Sequence, residues 1–265
     1  MFFDSASRLY WPILVSTILF IIFYQKKLPS RSTITYYVKH KSTRTDISLL
    51  IVNLLLKTFL FSLIIASAST MALYITRLMR LFTSQQYLLA VSSMQAKVIL
   101  TLFVFLLSDF LRFIQHVLMH KFVWRLHKVH HSAQLLTPLT LYRTHPLEAL
   151  ISFSRNTLTH ALTITFMVLF LKNQVNVVDF LGVNILGFIF NSALSNLRHS
   201  PLPISFGVLE YLFISPRMHQ IHHSNNPIHF NKNYGVALSL WDQLFGSFYR
   251  PKENESQTIT FGLHS

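Results

Sequence analysis

The chain has 265 residues, 51% of them hydrophobic and only 12% charged, against about 25% charged in an ordinary soluble domain. Its formal charge of +14 comes from basic residues that flank apolar runs instead of striping a polar domain, which favours an anionic membrane surface over nucleic acid. With no cysteine, disulfides, thiolate ligands, iron–sulfur clusters and cysteine nucleophiles are excluded, and any metal must rest chiefly on histidine.

In chain order, the first apolar run, Tyr10–Tyr24, predicts a shallow membrane span. Asp4 and the lack of a small-residue cleavage site argue against a signal peptide. A basic loop follows, with Lys26, Lys27, Arg31, Lys39, Lys41 and Arg44. The run Ile47–Ile75 can span with tilt, Lys57 facing protein or snorkelling. A third run begins near Val98 and passes through Leu107 into Asp109, Arg112 and His116. Leu147–Leu171 is apolar apart from Arg155 and His160, and Val177–Phe190 is expected to form a hairpin with it. The tail Pro251–Ser265 is polar and expected to be loose. The fold class expected is therefore all-α: a multi-span membrane protein with N-terminal helices over 1–107, a histidine-rich region over 108–250 that includes the membrane hairpin, and a tail over 251–265. With the 25–44 loop in the cytoplasm, as its basic residues require, the segments 112–146 and beyond about 191 fall on that side too.

Both of those segments carry histidines. His116 and His120 form H-x-x-x-H, His127, His130 and His131 form H-x-x-H-H, and His219, His222 and His223 repeat the latter spacing. Residues i, i+3 and i+4 share one helix face, so each group is expected to aim its imidazoles at one point. Clustered imidazolium ions would repel one another, whereas a divalent metal binds them neutral. Eight such ligands exceed one tetrahedral zinc and suit two metals, with iron, zinc and copper all open. His160 reads as a buried histidine and not a ligand, while His40, His229 and His264 carry no spacing signal. Asp109, Arg143 and Glu148 either orient ligating imidazoles or form salt bridges near the interface. Trp241 and Asp242 are expected to pack and cap.

The residues S-D-F-L-R-F-I-Q-H-V-L-M-H (108–120), L-H-K-V-H-H-S (126–132), Y-R-T-H-P-L-E (142–148), S-P-R-M-H-Q-I-H-H-S (215–224) and N-Y-G-V-A-L-S-L-W-D-Q-L-F-G-S-F (233–248) resemble the fatty acid hydroxylase/sterol desaturase superfamily of membrane di-iron oxygenases. The resemblance covers about 108–249. It implies two iron ions on His116, His120, His127, His130, His131, His219, His222 and His223, with His145 as ligand or close support. Through S-N-L-R-H it adds His199. Leu194 stands where many relatives have histidine, leaving a position for Asn196 or water, or an impaired site.

The resemblance further implies an oxygenase that hydroxylates or desaturates a sterol, sphingolipid, ether lipid, fatty acyl chain or carotenoid in the bacterial inner membrane or endoplasmic reticulum. No nucleotide fingerprint occurs, so electrons must come from an external donor, a cytochrome b5-like protein or a ferredoxin with its reductase. Lys121, Arg125, Lys128 and Arg217 are expected to dock it. The rival readings are a non-catalytic membrane metal-binding protein or metal transporter, disfavoured because the histidines lie at helix ends, and a zinc hydrolase, disfavoured because H-E-x-x-H is absent.

Overall fold

The computed structural model describes residues 11–26, 28–82, 89, 91–171, 195–251 and 259–263. These form helices α1 (Trp11–Gln25), α2 (Arg31–Lys39), α3 (Lys41–Phe82), α4 (Ser93–Phe122), α5 (Trp124–His131) and α6 (Pro146–Phe170). Three short ones follow: α7 (Ser195–Arg198), α8 (Pro216–His222) and α9 (Leu240–Phe245). Among the described residues the only β pairing is two isolated bridges, so the all-α expectation holds.

The expected run at 47–75 lies within α3, that at 147–171 matches α6 up to its cap Leu171, and the described part of the first falls on α1. The run Val177–Phe190, expected to form a hairpin with its predecessor, lies outside the described residues. Among the described residues, one helix, α4, is long and apolar enough to cross a membrane. Unlike a water-soluble amphipathic helix, its first half is apolar on both its exposed and its buried side. Met94, Val98, Leu102 and Leu106, four residues apart, are exposed. Inward on the same helix, buried Ala96, Leu100 and Val104 pack with Leu171, and Phe103 stacks on Phe166 at 4.0 Å. Further along, the buried side of α4 carries Asp109 and Phe113, two turns and one turn ahead of the first histidine.

α3 is 42 residues long and so rises about 63 Å, roughly twice a bilayer core of about 30 Å. It runs beside α6 with small side chains between: Ala68, Ala72 and Thr76 on α3, and Thr157, Ala161 and Thr165 on α6, all buried. Small residues let two backbones approach, and their hydroxyls then bond across or along the pair. Thr76 Oγ1 meets Thr165 Oγ1 at 3.3 Å, and Thr163 Oγ1 donates to Thr159 O at 2.7 Å.

Two buried polar clamps join these helices to the histidine-bearing end. Arg143 pairs with Asp46 of α3 at 3.0 Å and donates to Ser42 O, Val129 O and Ser132 O, tying the end of α5 to α3. Asp109 of α4 accepts from the amides of Ala237 and Leu238 at 2.9 and 3.0 Å and from Trp241 Nε1 at 3.0 Å, fixing the C-terminal segment to α4. Of the tail expected to be loose, the described stretch 259–263 is tied down: Thr260 O accepts from Asn225 N, and Phe261 bridges Ser224, next to His223.

Candidate metal centre

α4 ends at Phe122, and α5 restarts after the single residue Val123, so the chain turns and brings His127, His130 and His131 back towards His116 and His120. α8 starts on a Ser215 cap whose Oγ accepts from Met218 N at 3.1 Å, with Pro216 in the first turn. Buried Glu210 holds that cap, accepting from Ser215 Oγ at 2.6 Å. Gln220 donates to Ser200 O and Leu202 O, drawing the segment after α7, and with it His199, onto α8.

The nine histidines expected as ligands come together, in two groups. His116, His120, His127, His131 and His222 form one, and His130, His199, His219 and His223 the other; within each, one ring nitrogen per residue lies within 4.8 Å of all the rest. The partition corrects the expectation that each motif aims at a single point. In α5, His127 and His131 enter the first group and His130 the second. In α8 the pattern is exchanged: His219 and His223 enter the second group and His222 the first. Residues at i and i+4 overlie one another, whereas i+3 lies to the side of that pair, so each H-x-x-H-H motif reaches into both groups. His131 and His223 stack at 4.5 Å where the groups adjoin.

Ring orientation is set from outside. His116 Nδ1 donates to Tyr234 O at 2.7 Å, His222 Nδ1 to Lys232 O at 2.8 Å and His130 Nδ1 to Arg143 O at 3.2 Å. His127 Nδ1 lies 2.9 Å from Glu148 Oε1. Carbonyl acceptors fix the proton on Nδ1 and leave the Nε2 lone pair facing inward. The inward Nε2 atoms of His116, His127, His222 and His223 are buried and have no hydrogen-bond partner. Others face one another, with Nε2–Nε2 distances of 3.1 Å for His120 and His131, 3.0 Å for His199 and His219, and 3.4 Å for His130 and His199.

Burial removes the charge option. It holds the His127 imidazole down at about 4 and, with neighbouring imidazoles, His130 at about 3. His131, His219, His222 and His223 are also held well below their ordinary value, burial being the largest cause and the neighbouring rings the next. At neutral pH these are uncharged rings with lone pairs turned together, costly without a cation. Ligands on one ion at about 2.1 Å stand about 3.0–3.4 Å apart when adjacent, and about 4.2 Å when opposite in an octahedron, which fits both groups.

Of the supporting residues expected, Glu148 contacts a ligand ring directly. Arg143 does so through its carbonyl while its guanidinium ties α5 to α3. Asp109 holds the segment that carries Tyr234 and touches no histidine ring in either group, so it supports the site at one remove. Asp242 accepts from the amides of Tyr234 and Gly235, both at 2.8 Å, and fixes the same segment. His145 joins neither group; it caps α6, its Nδ1 accepting from Leu147 N at 3.2 Å. Asn196 is fully buried three residues before His199, and Leu194 lies outside the described residues. His160 is exposed on α6, not buried as expected. Arg217 is buried, its Nη1 donating to Gln220 Oε1 at 3.4 Å, and is withdrawn from the surface expected to dock a donor. The carbonyls of Lys232 and Tyr234 escaped sequence reasoning, since a backbone acceptor carries no residue-type signal. Trp124, ring centroid 5.3 Å from His120 and from His131, was signalled only by adjacency.

Two cavities flank the centre. One, of about 450 Å³, is lined by His120, His131, His222 and His223 with Trp124 and the tail residue Leu263. The other, of about 480 Å³, reaches His116 and His127 of the first group and His130, His199 and His219 of the second.

Residues 101–247 match the sequence model of the family described as fatty acid hydroxylase. The chain is 29% identical over 155 residues to an ornithine lipid hydroxylase, OlsE, of Rhizobium tropici, covering 58% of this chain and 43% of that one. It is 25% identical over 158 residues to an alkylglycerol monooxygenase of Caenorhabditis elegans, 58% and 28% of the two chains. A human lathosterol oxidase is 28% identical over 158 residues, 58% and 46%. The chain thus spans less than half the length of these relatives. No solved structure matches it.

Proposed function

The chain belongs to the fatty acid hydroxylase family, and from that premise we propose that it is a membrane-bound oxygenase holding two iron ions, one in each histidine group, and oxidising a lipid. The observation that carries the reading is the pair of groups, in which buried neutral imidazoles converge from α4, α5, α7 and α8. The relatives named as hydroxylase, monooxygenase and oxidase support the reaction class.

Bound iron would supply dioxygen activation and the oxidising power to remove hydrogen from an unactivated carbon. The chain's own share is positional. Tyr234 O, Lys232 O, Arg143 O and Glu148 hold the rings so that Nε2 points inward. Five imidazoles in the first group and four in the second leave room for other ligands on a six-coordinate ion. The 480 Å³ cavity touches both groups, which suits it to hold the reacting part of the substrate. Hydroxylation and desaturation differ only in where the substrate's hydrogens sit.

α4 supports a membrane location by its exposed apolar stripe, and α1, α3 and α6 are read as further helices in or along the bilayer. The basic loop before α3 supports a cytoplasmic face for the histidines. The catalytic region is 108–250, built on the helices of 1–107. Electrons are supplied by an external carrier meeting the exposed Lys121, Arg125 and Lys128 beside Trp124.

The test is lipid analysis of a host expressing the chain beside His131→Ala and His223→Ala. A lipid gaining one oxygen or losing two hydrogens only with the intact chain is the expected result. Identical lipids in all strains, with the protein present and iron-loaded, would overturn the proposal.

A further inference from the structure

The cavity shared by the two histidine groups is unusually cationic for one inside a helical membrane bundle. Lys57 of α3, Arg112 of α4, Arg155 of α6 and Arg198 of α7 line it, against one carboxylate, Glu148, which already faces His127. Asp109 lies within the field of Arg112 and Arg198 but takes three hydrogen bonds from the 237–241 segment. Neutral histidine ligands cancel none of the positive charge, and bound metal adds to it. Cations at bilayer depth are costly and mark a functional pathway by default.

Arg155 is the clearest case. Its Nη2 donates to Asn156 Oδ1 at 2.9 Å, and its Nε is buried with no hydrogen-bond partner. Neither it nor Lys57 forms an ion pair among the described residues. A buried guanidinium nitrogen left unpaired costs free energy that an anionic ligand would recover.

A second cavity of about 250 Å³ adjoins the first. The two share Lys57, Tyr142, Thr144, Ser152 and Asn156, and the second is otherwise walled by Leu50, Leu54, Leu60 and Phe153 between α3 and α6. A cationic chamber at the histidines thus continues into an apolar channel.

We infer that this chamber and channel bind an acidic lipid headgroup-first, its phosphate or carboxylate on Arg155, Arg112 and Lys57 and its chain between α3 and α6. The inference deepens the oxygenase reading and rests on it for what happens next. A chamber of 480 Å³ is about 10 Å across as a sphere, so a carbon at the histidines lies within about eight bonds of the acidic group. The oxidised position is near the headgroup, not far along an acyl chain.

The test is binding to the full chain, purified in neutral detergent without added metal and followed by native mass spectrometry. The probes are dioleoyl phosphatidic acid, oleic acid, dioleoylglycerol and inorganic phosphate. The two acids are expected to bind at least about tenfold more tightly than dioleoylglycerol, and Arg155→Gln and Lys57→Gln each to weaken them about tenfold. Lys57 is exposed, so its substitution reads charge without opening a core, and Arg80→Gln, remote on α3, leaves binding unchanged. Equal binding of dioleoylglycerol, or acid binding untouched by Lys57→Gln, overturns the inference. Inorganic phosphate binding as tightly as phosphatidic acid overturns its lipid part. Acid binding as expected with no lipid oxidised would instead count against the oxygenase reading alone.

Discussion

Glu148 gives the sharpest test of how the two groups are held apart. Its Oε1 is 2.9 Å from His127 Nδ1, both side chains are buried, and His127 belongs to the first group only. In Glu148→Ala the buried Nδ1–H loses its acceptor, an unmade bond costing about 1–3 kcal/mol. Loss of such an outer partner lowers metal affinity about 10- to 100-fold, about 1.4–2.8 kcal/mol. Glu148 holds His130 of the other group only through its charge, with no hydrogen bond to any of its rings, so the loss is expected chiefly at one ion of two. The assay is elemental analysis of iron-loaded protein against a graded chelator. The intact chain releases two equivalents together, Glu148→Ala releases one early, and Glu148→Gln, which keeps an acceptor oxygen, lies between. Early release of both equivalents, or of neither, would refute the assignment of His127 to one group oriented by Glu148.

Further consequences are testable in the same protein. Gly235→Ala alters no ligand, yet its Cβ would meet Leu238 O and Asp242 Oδ2 at 2.6 Å and Ile214 Cγ1 at 2.9 Å, displacing the segment whose Tyr234 O orients His116. Metal content should fall, with a stability loss of about 1–3 kcal/mol by thermal unfolding, and normal metal content would contradict the anchoring role. Asp46→Ala breaks a buried ion pair with Arg143 and is expected to cost about 3–5 kcal/mol in the same measurement. The metal-free protein should be acid-sensitive. His127 is held at about 4 and His130 at about 3 against an ordinary 6.5, so the unfolded chain binds more protons between those values. The stabilising contribution of neutral rings is thus complete above pH 6.5 and is lost as pH falls towards 4, and a melting temperature flat over that window would contradict burial of these rings.

What could be read from the residues divides along physical lines. The histidine set was legible because spacings of three and four place side chains on one helix flank, and because a chain without cysteine leaves histidine as its chief metal donor. Their division between two groups was not, because it depends on how α5 and α8 face one another across about 90 residues of sequence. The buried Asp46–Arg143 pair was equally hidden: both residues stand in basic, exposed-looking segments, and their separation by 97 positions leaves no periodic trace. Arg217 misled for the converse reason, since charge alone suggests a surface while α8 packs on every side. Asp109 was read as either orienting a ligating imidazole or forming a salt bridge, and it precedes His116 by two turns. The helix does put both on one flank, but the carboxylate is taken by the amides of Ala237 and Leu238.

The central claim is that two irons in these groups oxidise a lipid with dioxygen. Its most direct test is turnover of the iron-loaded chain in nanodiscs, with a reductant and isotopically heavy dioxygen, followed by mass spectrometry of the lipids. Heavy oxygen in a lipid hydroxyl, or a lipid short of two hydrogens, formed only with both irons present, is the result predicted. Two bound irons with no lipid altered under heavy dioxygen would contradict it.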